Sequence, residues 1–183
     1  MQFEEKKIRL KDGEEAILRA PRIEDAQELL NHLKITCGET DFLSMYPEEY
    51  DAMSVESEEA WITSHLESPD ALVICCAVDG TIVGTCDLRF NRKITTSHRA
   101  SLGITVQRRY WNLGIGSAMF EEMIAACTAR GIEIMELEFL EGNERARHLY
   151  EKFGFRVVSE KPNAFKRKDG RMQKEYYMQK YLQ

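Results

Sequence analysis

No stretch of these 183 residues approaches the ~20 consecutive apolar positions that span a bilayer. The N-terminal MQFEEKKIRL also lacks the apolar segment of a signal peptide. A cytoplasmic protein that does not touch membrane is therefore expected. Cys37, Cys75, Cys76, Cys86 and Cys127 are odd in number and lie mostly in apolar segments. No CxxC spacing points to metal or redox chemistry, so they read as reduced, buried thiols. Internal repeats, low-complexity tracts and linkers are absent as well, and one domain is the simplest organisation. The most informative absence is local. From Ile35 to Leu88 there are twelve carboxylates and no lysine or arginine, which leaves nineteen acids against twenty-five bases elsewhere. With a net charge of −6, an acidic segment inside a basic remainder argues against general nucleic-acid binding. The run KRKDGR at 166–171 has no interleaved aromatics for base stacking, and Asp169-Gly170 marks it as a solvated hairpin tip.

What is present has a clear period. Ile8–Leu10 and Ala16–Leu18 flank the turn Asp12-Gly13 and predict an N-terminal hairpin. RIEDAQELLNHLK reads as a helix through Ile23, Ala26, Leu29, Leu30 and Leu33, and SVESEEAWITSHLES as a second, capped by Ser54 or Ser57 and stopped before Pro69. Between them, 37–53 holds Gly38 and Pro47 and reads as loop or short turns. ALVICCAV, TIVGTCDLRF and RASLGITV are apolar and β-branched, the first two joined by Asp79-Gly80. A glycine-led helix follows, then IEIMELEFL as a strand, NERARHLYEKF as a helix, GFRVV as a short strand and KEYYMQKYL as the last strand. The order predicts an α/β fold with a mixed sheet flanked by helices.

RRYWNLGIGSAMFEEMI, 108–124, places Gly114 and Gly116 before an amphipathic run in which Ile115, Met119 and Met123 recur every fourth position. Phe120, Ile124 and Cys127 fill the adjoining stripe, and Arg130-Gly131 closes it. Glycines at a helix N-terminus let the backbone turn sharply and approach a ligand, and the unpaired N–H groups there favour an anion, a phosphate above all. Two nucleotide fingerprints fail. The dinucleotide motif needs a small residue where Met119 stands, and the P-loop needs a lysine that neither glycine precedes.

Together, ASLGITVQRRYWNLGIGSAMFEEMI and IEIMELEFLEGNERARHLYEKFGF resemble the two central motifs of the GCN5-related N-acetyltransferases (GNAT). The resemblance covers about 71–182 and rests on Gly114 and Gly116, then Asn143, Ala146, Leu149-Tyr150 and Gly154-Phe155 in order. One position departs from it: Trp111 stands where the family has Gln or Arg, as in its branches that act on ribosomal-protein N-termini and spermidine. Arg108 or Arg109 would then supply charge.

The resemblance implies a single domain, its sheet splayed between strands ending near Val106 and Leu140. Helices at about 22–68 lie on the acceptor side, an acetyl-CoA-binding core occupies about 71–158, and the C-terminal strand about 174–182. Acetyl-CoA is the implied co-substrate. Backbone at Ile104, Thr105 and Val106 would pair with its pantetheine arm. Leu113, Gly114, Ile115, Gly116 and Ser117 would hold the pyrophosphate, with Arg109, Asn143 and Arg147 adding contacts, and no metal is implied. Asn143 is an N-cap by residue type alone, Ser117 also suits a solvated first turn, and Trp111 reads as packing. Tyr150, seven residues past Asn143 and on the same helical face, is either a half-buried aromatic or the acid that protonates the departing thiolate. Candidates for the base are Glu141, Glu138, Asp87 and His98.

The implied activity is acetyl transfer by direct attack of a primary amine (a small amine, a polyamine or a peptide N-terminus). A backbone N–H near Val106 would polarise the thioester. A CoA-binding module without transferase activity, or another acyl donor, stays open, as does a homodimer. The acids Glu39, Asp41, Glu48, Glu49, Asp51, Glu56, Glu58 and Glu59 fall on the acceptor side. Several are expected to face one cleft and draw in a cation.

Overall fold

The Asp12-Gly13 turn closes a hairpin of Lys6–Arg9 (β1) and Glu15–Arg19 (β2) in a computed structural model that describes residues 3–182. Ala26–Glu39 (α1) and Val55–Glu67 (α2) follow, the latter opened by Ser54, whose hydroxyl accepts from the Ser57 N–H at 3.2 Å. Ala71–Val78 (β3), Thr81–Phe90 (β4) and Arg99–Val106 (β5) form the centre of the sheet. Asp79 and Gly80, both at positive φ, turn β3 into β4, as the Asp-Gly pair requires. Ile115–Ala129 (α3), Ile134–Leu140 (β6), Glu144–Lys152 (α4), Arg156–Lys166 (β7) and Met172–Tyr181 (β8) complete the chain.

One eight-stranded sheet results, in the order β1-β2-β3-β4-β5-β6-β8-β7. It is mixed, because β5 and β6 run parallel while every other neighbouring pair is antiparallel. The parallel pairing extends only from Arg99–Ile134 to Ser101–Glu136. Beyond Ser101 the two strands part, and this is the splay. Every residue of β3 is buried because both of its faces are covered. Leu72, Ile74 and Cys76 meet the main core beneath α3, with Met119, Phe120, Met123, Met135, Phe155 and Met178. Cys75 and Ile82 meet Ala26, Leu29 and Ile62 of α1 and α2 on the other face. Each large apolar side chain taken fully from water here contributes about 1.5–3 kcal/mol. All five cysteines are free and buried, and no helix among the described residues is long and apolar enough to cross a membrane.

Three segments differ from expectation. The first helix does not end before the 37–53 stretch but runs on through Cys37 and Gly38 to Glu39. Thr36 and Cys37 are buried on its inner face, which outweighs the ~1 kcal/mol that a helical glycine costs. The strand expected to end with GFRVV continues to Lys166. It is an edge strand, paired only with β8 and irregular between Lys161 and Phe165, so Pro162 withholds no needed donor. Finally, KRKDGR is not a purely solvated tip. Arg167 is buried and donates to the backbone carbonyls of Leu43 (3.0 Å) and Asp41 and to Gln173, so the hairpin pins the loop after α1.

Candidate active site

The segment between β5 and α3 turns through Asn112 at φ 64° and Gly114 at φ 104°. Gly114 is the N-cap of α3, and no side chain caps that end. The N–H groups of the first turn have no intrahelical acceptor, and Ile115, Gly116 and Ser117 line a cleft with Gly114. The two glycines serve different ends. A side chain at Gly114 would meet nothing within 4 Å but would sit at a left-handed φ. At Gly116 a Cβ would come within 3.0 Å of Leu149 Cδ2, so this glycine lets α3 and α4 approach across the cleft.

The cleft, about 550 Å³, opens where β5 and β6 part. Of the residues expected to hold acetyl-CoA, Ile104, Thr105, Val106, Gly114, Ile115, Gly116, Ser117 and Asn143 all line it, as does Tyr150. Three do not. Arg109 is exposed with its guanidinium over the Tyr110 ring. Arg147 points along α4 into an ion pair with Glu151 at 2.9 Å. Leu113 packs on the core, and its carbonyl accepts from the Lys11 N–H. The cleft's cationic lining comes instead from Lys11, Arg145 and Lys152. Lys152 also donates to the Ser117 hydroxyl at 3.2 Å. Arg145 and Lys152 were legible as one helical face with Leu149. Lys11 was not, since only the fold brings the N-terminal hairpin to this loop. Trp111 packs as expected, its guanidinium neighbour Arg145 3.3 Å from the ring centre, and its indole N–H closes the loop onto the Val106 carbonyl at 2.6 Å.

Asn143 caps α4, accepting from the Ala146 N–H at 3.3 Å. Two turns on, Tyr150 is buried among Phe120, Phe139 and Phe155. Burial pushes its phenol up to about 12, with Arg145 opposing, so it is a neutral donor at pH 7. It also lines a second cavity of about 380 Å³, walled by residues of β4, β5, β6 and β8. Phe42, Leu43, Ile104, Thr105, Asn143 and Tyr150 border both spaces, so the two are neighbours across Tyr150.

The second cavity sorts the candidate bases. Asp87 and Glu138 line it together with Glu175, whereas Glu141 and His98 do not. Glu141 and His98 instead serve the sheet through their main chains, Glu141 N–H giving to Lys174 and His98 accepting from Glu133 and Ile134. Burial raises the Asp87 carboxyl, Arg89 at 3.3 Å pulling the other way. Gly103 lies opposite it on β5, where a Cβ would come within 2.9 Å of Asp87 Oδ1.

The eight acids expected on the acceptor side do not face the cleft, although Asp87, at the end of the same Lys- and Arg-free segment, lines the second cavity. Among the described residues, none of Glu39, Asp41, Glu48, Glu49, Asp51, Glu56, Glu58 and Glu59 lines either cavity. Several are paired with the basic remainder: Asp51 with Lys34, Asp41 with Arg171, Glu48 with Lys168, and Glu39 with the Arg108 N–H at 2.7 Å. Glu58 is buried.

Known proteins share this architecture. A family model described as the acetyltransferase (GNAT) family matches residues 38–155. An acetyltransferase of the GNAT family from Streptococcus pneumoniae superposes with a TM-score of 0.84 at 27% identity, over 91% of this chain and 99% of that one. The yncA protein of Salmonella typhimurium, solved with its cofactor acetyl-CoA, shares the fold with a TM-score of 0.77 at 15% identity, over 92% of this chain and 94% of that one. The L-amino acid N-acetyltransferase AaaT of Escherichia coli (strain K12) is 29% identical over 102 residues, 55% of this chain. The match spans 63% of that relative, less than two thirds of its length.

Proposed function

This chain belongs to the acetyltransferase (GNAT) family, and from that premise we propose that it moves an acetyl group from acetyl-CoA to a primary amine by direct attack in a ternary complex. One observation carries the reading. The cleft along the splay begins at an uncapped helix N-terminus with cations beside it and ends at a neutral phenol. That order suits a ligand with a pyrophosphate at one end and a reactive thioester at the other.

In this reading the N–H groups of Gly114 to Ser117 hold the pyrophosphate, with Lys11, Arg145 and Lys152 adding positive charge. Backbone of Ile104–Val106, unpaired toward β6, aligns the pantetheine arm, and a backbone N–H near Val106 polarises the thioester carbonyl. The amine enters from the second cavity as the free base, and Asp87 takes, directly or through one water, the proton the nitrogen sheds as the C–N bond forms. Its raised carboxyl makes it a stronger base than a solvated aspartate. As the C–N bond forms and the C–S bond breaks, Tyr150 gives its phenolic proton to the leaving sulfur. Most of the acceleration comes from holding the two reactants together. The acceptor is a small amine, a polyamine or a peptide N-terminus, and the activity named for the AaaT relative adds the α-amine of a free amino acid.

Thiol release from acetyl-CoA across a panel of these amines, with the product mass increased by one acetyl group, tests the reading. No release above the protein-free rate with any amine, together with no acetyl-CoA binding by calorimetry, would refute it.

A further inference from the structure

At the border between the two cavities runs a partly buried polar chain. His32 of α1 is 1% exposed, with Nε2 2.9 Å from the Thr105 hydroxyl. Thr105 Oγ1 lies 2.9 Å from Thr85 Oγ1, its direct cross-strand neighbour. On the other side, His32 Nδ1 is 3.3 Å from Gln107 Nε2, and the same nitrogen gives to the Ile82 carbonyl at 3.1 Å. A carbonyl oxygen only accepts, so Ile82 fixes which end of the Gln107 amide is the NH₂. An amide NH₂ only donates, so His32 Nδ1 must accept, and the proton of the neutral imidazole sits on Nε2. His32 therefore donates to Thr105.

Counting protons then decides what the cavity meets. Two threonine hydroxyls bring two protons and share one contact. Because His32 supplies the bond to Thr105, that contact uses only one of them, and the other is left over. Both threonines line the acceptor cavity, and there the spare proton is offered. With the imidazole proton on Nδ1 instead, Thr105 would have to give to His32 and Thr85 to Thr105. The cavity would then meet lone pairs alone. Asp87, two residues past Thr85 on the same face of β4, lines the same space.

We infer that Gln107 and His32 set the threonine pair as a hydrogen-bond donor beside the Asp87 carboxylate, and so select an amine with an oxygen acceptor near its nitrogen. An amino acid or amino amide fits this pairing, a plain alkylamine or polyamine does not. The inference rests on the acetyl-transfer reading. His32 and Gln107 are positioning residues, acting through Thr105 and Thr85.

The test pairs two acceptors of equal length, an amino acid amide and an alkylamine, in the thiol-release assay. Wild type should favour the amide. Thr85→Val and His32→Asn, which keeps only an acceptor near Nδ1, should each raise KM for the amide roughly tenfold, the scale of one lost hydrogen bond. KM for the alkylamine should stay within about twofold. His32→Gln carries an NH₂ to the Nε2 position and should restore most of the preference. The double variant His32→Asn/Thr85→Val should be no worse than Thr85→Val, as members of one chain are non-additive. In the wild-type protein, imidazole ¹⁵N spectra should show Nε2 protonated and Nδ1 bare, a readout that needs no variant to fold. A proton on Nδ1, equal losses for both amines, additive variants, or transfer without preference would each overturn the inference and spare the transfer reading. No transfer to any amine would overturn both.

Discussion

Replacing His32 by Gln should flatten the acid side of this protein's stability curve. Burial holds the His32 imidazole down at about 4 against its ordinary 6.5. Below pH 6.5 the unfolded chain takes up a proton at this residue, whereas the folded chain does not until about pH 4. Stability from the neutral imidazole is thus complete above pH 6.5, falls as pH falls, and is gone near 4. Between 6.5 and about 4, at about 1.4 kcal/mol per pH unit, this amounts to about 3 kcal/mol. A domain of this size has only about 5–15 kcal/mol in all.

Other groups contribute with the opposite sign. Burial raises the carboxyls of Glu58, Asp87 and Glu175, so in them the folded state binds protons first and acid stabilises it. Subtracting one protein from the other removes these contributions. Urea unfolding of wild type and His32→Gln at several pH values between 7.5 and 4, at constant m, gives the difference directly. It should shift by about 3 kcal/mol against wild type across that span. A difference that does not change between pH 7 and 4 would mean that His32 is neither buried nor neutral, and the proton count at Thr85 and Thr105 would fail with it.

Other variants test the remaining parts of the site. Tyr150→Phe and Asp87→Asn should each lower kcat on the order of 10²-fold with acetyl-CoA affinity kept by calorimetry. An unchanged kcat would return Tyr150 to a core ring or Asp87 to a structural carboxylate. Gly116→Val should drive α4 away from α3 through Leu149, weakening acetyl-CoA binding in a protein that circular dichroism still finds folded. Normal binding would remove Gly116 from the cradle. Arg167→Met should cost about 2–4 kcal/mol in urea unfolding, because it strips a buried donor from the carbonyls of Asp41 and Leu43. It should also raise acceptor KM, since Leu43 borders the second cavity. A loss of stability with KM unmoved would separate that loop from acceptor binding.

The parts of the fold legible from sequence are those whose cause is local. The runs at β3, β4 and β5 match residue for residue because each is a largely apolar, β-branched stretch set off from its neighbours by turn residues. The glycine-led start of α3 and the cap at Asn143 carry their own residue types. What escaped depends on distant partners. Most of β7 is exposed, so it has no apolar period to read, and it exists because β8 offers it a ladder. His32 looks like one polar residue on a helix, and its partners Thr105 and Gln107 stand 73 and 75 positions away. The Lys11 contribution to the cleft has the same origin.

Charge gave the most misleading signal, and the reason is physical. A segment of twelve acids beside a basic remainder can either present a field to a substrate or neutralise its own neighbours. Here folding has largely done the second. Lys168 and Arg171, on the hairpin joining β7 to β8, take Glu48 and Asp41. Lys34 takes Asp51 across from α1, and the Arg108 N–H is held by Glu39. Those contacts tie the loops after α1 to both edges of the splay, and buried Arg167 fastens the same strap from beneath. The negative charge that lines the second cavity comes from the sheet, from Asp87 (itself one of the twelve), Glu138 and Glu175 on three different strands. Asp87 and Glu175, partly desolvated on their strands, act at short range and are screened less than surface charge. In the proposed reaction, selection therefore belongs to contacts made after entry, while the loop acids pair with the chain's own cations.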